Sequence, residues 1–231
     1  MQSQTIEFEG SGGVRLIADT WGDPKADPIL FMHGGGQTRH SWGGAAMLLA
    51  SKGWWTLSID LRGHGDSGWS SKGEYEAEHF VADINSVLSQ LDRTAVLVGA
   101  SLGGRTATFV VGNGAPDLCR ALVLVDITPK IEAKGAERIL AFMNKHPNGF
   151  AAVEEAADAV AEYREYRSRP KNVSGLKKNL RLRDDGRWYW HWDPKFLDRQ
   201  HPHDEEASRE ISEAAANIKI PTKRNKYPKI E

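Results

Sequence analysis

Gly99-Ala100-Ser101-Leu102-Gly103-Gly104 places a serine with glycine two residues before it and two after. That spacing suits a nucleophile. A serine on a very tight strand-to-helix turn takes a strained backbone conformation, and its neighbours two positions away must be small to avoid collision. The chemistry would be attack of a hydroxyl on a carbonyl, which needs donors for the developing oxyanion and an acceptor for the hydroxyl proton. A glycine loop, His33-Gly34-Gly35-Gly36, is a source of backbone N–H donors that can approach such a charge closely, and the Leu102 N–H would complete a two-donor hole. His33 precedes that loop rather than facing Ser101 and is read as a structural side chain. His191, His201 and His203 stand far downstream. A substitute base among them is conceivable, but the default reading of each is a surface or pocket-lining residue.

Gly63-His64-Gly65-Asp66-Ser67-Gly68 has the glycine spacing of dinucleotide-binding turns. Trp69 to Gly73 intervenes before the next helical segment, so no helix N-terminus follows to hold a pyrophosphate. No cofactor is expected, and His64 is read as structural. His201-Pro202-His203-Asp204 is the nearest approach to a metal-ligand cluster, and its spacing is unconvincing. Metal: none.

The elements that must position these residues follow from apolar patterning. Val14 to Thr20 alternates, while Pro28 to His33, Trp54 to Asp60, Thr94 to Gly99 and Arg120 to Val125 are short apolar runs of the kind buried on both faces of a sheet. Between them, residues 40 to 52, 76 to 91 and 102 to 113 have helical spacing, with Phe80, Ile84, Val87, Leu88 and Leu91 on one stripe. Strand, helix and strand in repetition predict an α/β fold with a mostly parallel sheet and helices on both faces. After Pro129 the pattern becomes helical and charge-rich up to residue 216, with no convincing buried strand. Ile218 to Thr222 resembles the entrance to one more strand, but KRNKYPKIE follows and no strand is expected there.

Composition narrows the class further. At 231 residues, 40% hydrophobic and 26% charged, the chain can bury a sizeable core and is neither disordered nor fibrous. A single cysteine, Cys119, excludes a disulfide-stapled scaffold. No signal-like or membrane-spanning stretch is evident, so a cytoplasmic location is expected. Residues 1–127 hold 9 basic and 14 acidic side chains and the remainder 21 and 17, an asymmetry too mild to indicate nucleic acid.

Together, the serine turn, the glycine loop, DLRGHGDSG at 60 to 68 and LVLVDITP at 122 to 129 resemble the α/β-hydrolase superfamily over about residues 5 to 222. The resemblance implies a core over residues 1–129, a helical cap insertion over 130–216, and an aberrant or truncated return over 217–231, with the family's final strands missing. It implies Ser101 as nucleophile, Gly35 and Leu102 as oxyanion donors, and Asp126 at one of the two positions where the family can place its acid. An aspartate fixing the turn into Ile127 is the alternative for Asp126. The family's base follows a later strand, and no histidine follows His203 in this chain. Trp188, Trp190 and Trp192 would line an apolar substrate pocket or glue the cap to the core. The implied activity is hydrolysis of a carboxylic ester or related acyl bond through an acyl-Ser101 intermediate, with a small-molecule acyl substrate and with neither nucleic acid nor membrane as partner. Perhydrolase, C–C hydrolase and lyase chemistry on the same fold, and a truncated fragment that only binds ligand, are the other expectations; oligomeric state is left open.

Overall fold

The short apolar runs form the middle of a seven-stranded sheet. In the computed structural model, residues 2–114, 116–127, 133–163, 172–198 and 205–225 are described. The strands are β1 (Gln4–Glu9), β2 (Arg15–Trp21), β3 (Pro28–Met32), β4 (Trp55–Ile59), β5 (Ala95–Ala100), β6 (Cys119–Val125) and β9 (Thr222–Asn225), the last numbered after two strands met below. Their spatial order is β1-β2-β4-β3-β5-β6-β9. β1 and β2 are antiparallel, β2 joins β4 antiparallel, and β4, β3, β5, β6 and β9 run parallel.

Every residue of β3 is buried, because both faces of the sheet are covered. Ile29 and Phe31 face one side with Ala46 and Ala50 of α1 (Gly43–Ala50). Leu30 and Met32 face the other with Phe80 and Ile84 of α2 (Ala77–Ser89) and Ala107 and Val110 of α3 (Leu102–Asn113). Chain order reverses at β3, which has β4 on one side and β5 on the other. The loops after β3 and β5 therefore diverge at the C-terminal ends of the strands, where open α/β sheets gather ligands.

Between β6 and β9 lie α4 (Ala133–Asn144), α5 (Val153–Tyr163), a two-stranded antiparallel ribbon of β7 (Leu180–Leu182) and β8 (Trp188–Trp190), the short α6 (Lys195–Asp198) and α7 (Glu205–Ala216). Three expectations are corrected here. A ribbon interrupts the segment expected to be wholly helical, because WYW is β-prone and Asp185-Gly186 supplies the turn, with Gly186 at φ 77°. α7, grouped with the cap from its charge, packs on α3 beside the sheet: Phe109 clusters with Ile211 and Ala214, and a Cβ on Gly112 would lie 2.1 Å from the Ala214 carbonyl oxygen. A strand does follow Pro221. β9 pairs with Leu122 to Val125, so the apolar β6 is covered rather than left at an edge. Polar TKRN pairs through its backbone without apolar pattern, and Lys223 and Arg224 suit an edge strand. β1 was unforeseen, although Ile6 and Phe8 alternate with polar residues.

No helix among the described residues is long and apolar enough to cross a membrane. Cys119 is buried at the start of β6, and burial pushes its thiol up to about 11, which suits an inert core residue.

The loop after β4 is tied to α2 by a buried ion pair. Arg62 Nε and Nη2 donate to the two Asp83 carboxylate oxygens at 2.6 and 2.7 Å, and further guanidinium N–H groups reach the Glu74 and Ser11 carbonyls. Asp83→Ala would strand a buried cation, so it is expected to cost about 3–5 kcal/mol. A urea unfolding midpoint unchanged from the parent chain would contradict that role.

Candidate functional site

Ser101 sits between β5 and α3 with φ 45° and ψ −112°, in a region that L-residues rarely enter. The turn is this tight because backbones meet on either side of it. A Cβ on Gly99 would lie 2.4 Å from the Gly103 carbonyl oxygen, and one on Gly103 would lie 2.5 Å from that of Met32. The side chain of Ser101 is exposed, and Leu102 opens α3, so its N–H has no intrahelical acceptor and carries the positive end of the helix dipole.

The glycine loop lies against this turn. A Cβ on Gly34 would be 3.4 Å from Ser101 Cβ, and the Gly103 N–H donates to the His33 carbonyl at 3.1 Å. Each peptide of the loop has a named partner: His33 Nδ1 bonds the Gly34 carbonyl at 2.8 Å, Gly34 N–H donates to Gln37 Oε1 at 3.2 Å, and Gly36 N–H donates to His64 Nε2 at 3.2 Å. The Gly34 carbonyl and the Gly35 N–H share one trans peptide plane. That carbonyl also accepts the Gln37 N–H at 3.1 Å, so His33 and Gln37 together set the direction of the Gly35 N–H.

Asp126 directly follows β6, exposed, with φ 51°. Since Ala100 pairs with Val125, Asp126 is the register neighbour of Ser101, and the Ser101 N–H donates to the Val125 carbonyl at 3.4 Å. Ser101 and Asp126 are the two non-glycine residues with positive φ among the described residues.

The three tryptophans separate. Trp192 reaches the glycine loop, its Cζ3 lying 3.6 Å from the position of a Cβ on Gly36, beside Met143 at 3.2 Å; the Phe196 ring lies 3.8 Å from the equivalent point on Gly35. Trp190 stacks on Trp192 at 5.0 Å and packs edge-on against Phe150. Trp188, at the start of β8, lies under Lys177 and lines a cavity of about 600 Å³ with Val153, Asn172 and Ser174. Met143 and Phe196 carried no sequence signal, being ordinary apolar residues that only the packing of this segment on the core brings to the loop.

His191 is buried with both ring nitrogens occupied: Nδ1 accepts the Gly65 N–H at 2.7 Å and Nε2 bonds the Gly36 carbonyl at 3.2 Å. Burial, followed by the neighbouring His33, depresses its pKa to about 3. It is not free to act as a base, because its acceptor lone pair is used. His201 and His203 lie outside the described residues.

Behind the glycine loop, Asp60 accepts the Arg39 N–H at 2.6 Å and the Asp66 N–H at 2.9 Å, and pairs with the Arg39 guanidinium. Burial disfavours the charge on Arg39, but Asp60, Asp66 and Asp19 outweigh it and hold its pKa above the ordinary value. Burial likewise opposes the charge on Asp19, yet His40 and Arg39 bring it down to about 2. A Cβ on Gly65, at φ 56°, would fall 2.0 Å from the Asp60 carboxylate, while one on Gly63 would meet the Tyr75 ring at 2.5 Å, so the two glycines let this loop close on different side chains. Among the described residues, Glu76, Glu78 and His79 form a potential ligand cluster on the surface at the start of α2.

Two outcomes follow from this packing. Gly103→Ala should cost about 3 kcal/mol, the upper end of the usual overpacking range, since the overlap is with backbone, and a thermal midpoint equal to the parent's would contradict the contact. The second concerns pH. Burial also lowers the pKa of His33. Unfolded histidines titrate near 6.5, so below that value the unfolded chain binds the extra protons and stability falls by up to about 1.4 kcal/mol per pH unit per histidine. Urea midpoints at pH 7, 6 and 5 should decline accordingly, whereas a flat profile would show that the rings take up protons in the native state as readily as in the unfolded chain.

A family model described as alpha/beta hydrolase fold matches residues 27–210. An esterase of Mycobacterium tuberculosis is 34% identical over 198 residues, 81% of this chain and 63% of that protein. A non-heme chloroperoxidase of Burkholderia pyrrocinia is 34% identical over 124 residues, 52% of this chain and 44% of that protein. This chain thus spans less than two thirds of the length of either relative. Among solved structures, E-2-(acetamidomethylene)succinate hydrolase superimposes with a TM-score of 0.79 over 96% of this chain and 80% of that one, at 22% identity, a likeness of fold. With the match running from β3 into α7 and covering more than half of the chain, the chain belongs to the alpha/beta hydrolase fold family.

Proposed function

We propose that the protein is a serine hydrolase acting on carboxylic esters of small molecules. The observation that carries this reading is the exposed Ser101 held at φ 45° against the Gly34–Gly36 loop. In the proposed reaction the Ser101 hydroxyl oxygen attacks the ester carbonyl carbon while its proton passes to a base. The tetrahedral oxyanion is held by the Gly35 and Leu102 N–H groups, and its collapse expels the alcohol, which takes up a proton. Water then cleaves acyl-Ser101 to release the acid and restore the hydroxyl. Asp126 is assigned as the acid that orients the base, supported by its register beside Ser101. His201 and His203 are the histidines to test as that base. Met143, Trp192 and Phe196 around the glycine loop favour an apolar acyl group, with Trp190 behind Trp192 as a supporting layer. For Trp188, support for a substrate contact is weaker, since it faces the separate cavity.

The esterase name of the mycobacterial relative favours ester hydrolysis over ligand binding alone. Residues 130–198, without α7, are proposed as the cap. A cytoplasmic location belongs to the same proposal, supported by the single buried cysteine.

A fluorophosphonate probe should label the parent chain at Ser101 and leave Ser101→Ala unlabelled, with aryl-ester turnover lost in parallel. Labelling that survives Ser101→Ala, or turnover indifferent to it, would overturn the assignment. Trp192→Ala should raise KM for a long-chain aryl ester by roughly tenfold while sparing the acetate, as expected for about 1.4 kcal/mol of lost apolar contact.

A further inference from the structure

Three successive peptide units of the glycine loop are each held by a different buried histidine. His33 bonds the carbonyl of the Gly34–Gly35 unit, His64 accepts the N–H of the Gly35–Gly36 unit, and His191 bonds the carbonyl of the Gly36–Gln37 unit. The rings lie in a row, with centroids 5.1 Å apart for His33 and His64 and 5.8 Å for His64 and His191. Hydrogen bonding fixes the proton on each. His33 Nε2 accepts the Leu61 N–H at 3.0 Å, so its Nδ1 donates to Gly34. His64 Nε2 accepts from Gly36, so its Nδ1 donates to the Arg62 carbonyl at 2.9 Å. His191 Nδ1 accepts from Gly65, so Nε2 must donate to Gly36.

The first two histidines come from the loops after β3 and β4, and both are part of the sheet's own C-terminal rim. His191 does not. It follows β8, in the segment that also lays Trp192 and Phe196 on the loop. That segment is docked on the core by Asp193, which accepts from the Tyr75 hydroxyl at 2.5 Å and whose N–H donates to the Gly63 carbonyl at 2.8 Å. Arg181 adds a bond to Asp66 at 2.6 Å. Gly36 has φ 72°, a conformation open to many alternatives in a glycine, so its carbonyl direction needs an external partner.

We propose that His191 is a positioning residue for the oxyanion hole: by donating to the Gly36 carbonyl it completes the clamp that aims the Gly35 N–H, making that geometry conditional on docking of the 188–198 segment. This rests on the reading of Gly35 as an oxyanion donor. His191 touches no reacting atom. A residue that merely staples two surfaces would serve equally well through either of its nitrogens, whereas the clamp requires the Nε2 donor in particular.

The two nitrogens can be separated. In H191Q the amide at the ε position can still donate to Gly36 while the Gly65 acceptor is lost; in H191N the δ position can still accept from Gly65 while the Gly36 donor is lost. Both variants and the parent chain would be compared by amide hydrogen exchange across residues 33–38, by kcat and KM on an aryl ester, and by fluorophosphonate labelling. Exchange in the loop should quicken in H191N well beyond H191Q. In H191N kcat should fall on the order of ten- to a hundred-fold with KM little changed, as for a misaimed oxyanion donor, and H191Q should recover most of that loss. Equal exchange and equal kcat in the two variants would overturn the clamp, as would a loss in H191Q larger than in H191N. If the parent chain neither turns over ester nor takes the probe, the hydrolase reading fails, while the exchange comparison still decides whether His191 holds the loop.

Discussion

Close approach of three backbones beneath Ser101 is the constraint on which the rest of the site depends. β5 must end, the chain must reverse into α3, and α3 must pass over the end of β3, all within the few ångströms left by the missing side chains of Gly99 and Gly103. The turn is strained at φ 45°, and the fully apolar strands around it supply the packing that holds it. Because Gly103 touches Met32, the serine turn and the start of the glycine loop form one rigid unit, joined by the Gly103 to His33 hydrogen bond.

Above that unit the structure changes from apolar packing to polar bonds. A loop of three glycines has no side chains with which to hold itself, so its peptide groups are held by neighbours. Neutral imidazole suits the task, since each ring offers one donor and one acceptor at opposite edges and can span two backbones. Burial keeps His33 and His191 neutral, and protonation would set two N–H donors against each other at each acceptor position. The histidines are therefore structural in a sense that bears on chemistry: they aim groups they do not resemble.

Charge plays a different part. Asp60 gathers the N–H groups of Arg39 and Asp66 and pairs with a buried guanidinium, which fixes the two loops that carry the glycines and His64. Asp66 then shares its second oxygen with Arg181, so the same cluster ties the 172–198 segment to the core. Such pairs offset much of their Coulomb gain with desolvation. Their contribution here is register between loops, added to the apolar contacts of Trp192 and Phe196.

The sequence by itself determined what depends on short-range pattern. Apolar runs of strand length, a helical stripe in α2 and the glycine spacing around Ser101 are local signals, and they sufficed for the parallel sheet, the serine turn and the family. β9 escaped because an edge strand is held mainly by backbone hydrogen bonds, which any polar sequence can make: TKRN pairs with Leu122 to Val125 without apolar pattern of its own, whereas β1 carries a short alternation at Ile6 and Phe8 that is legible in the sequence. α7 was assigned to the wrong layer because its surface charge is legible and its partner, the bare face of Gly112, is not. His191 shows the limit most clearly. In sequence it is one histidine among tryptophans, with a free lone pair to offer as a base; in the fold, Gly65 and Gly36, more than a hundred positions away, occupy both its nitrogens. Residue type limits what a side chain can do, but which of its atoms remain available is decided by neighbours that only the tertiary structure brings within hydrogen-bonding distance.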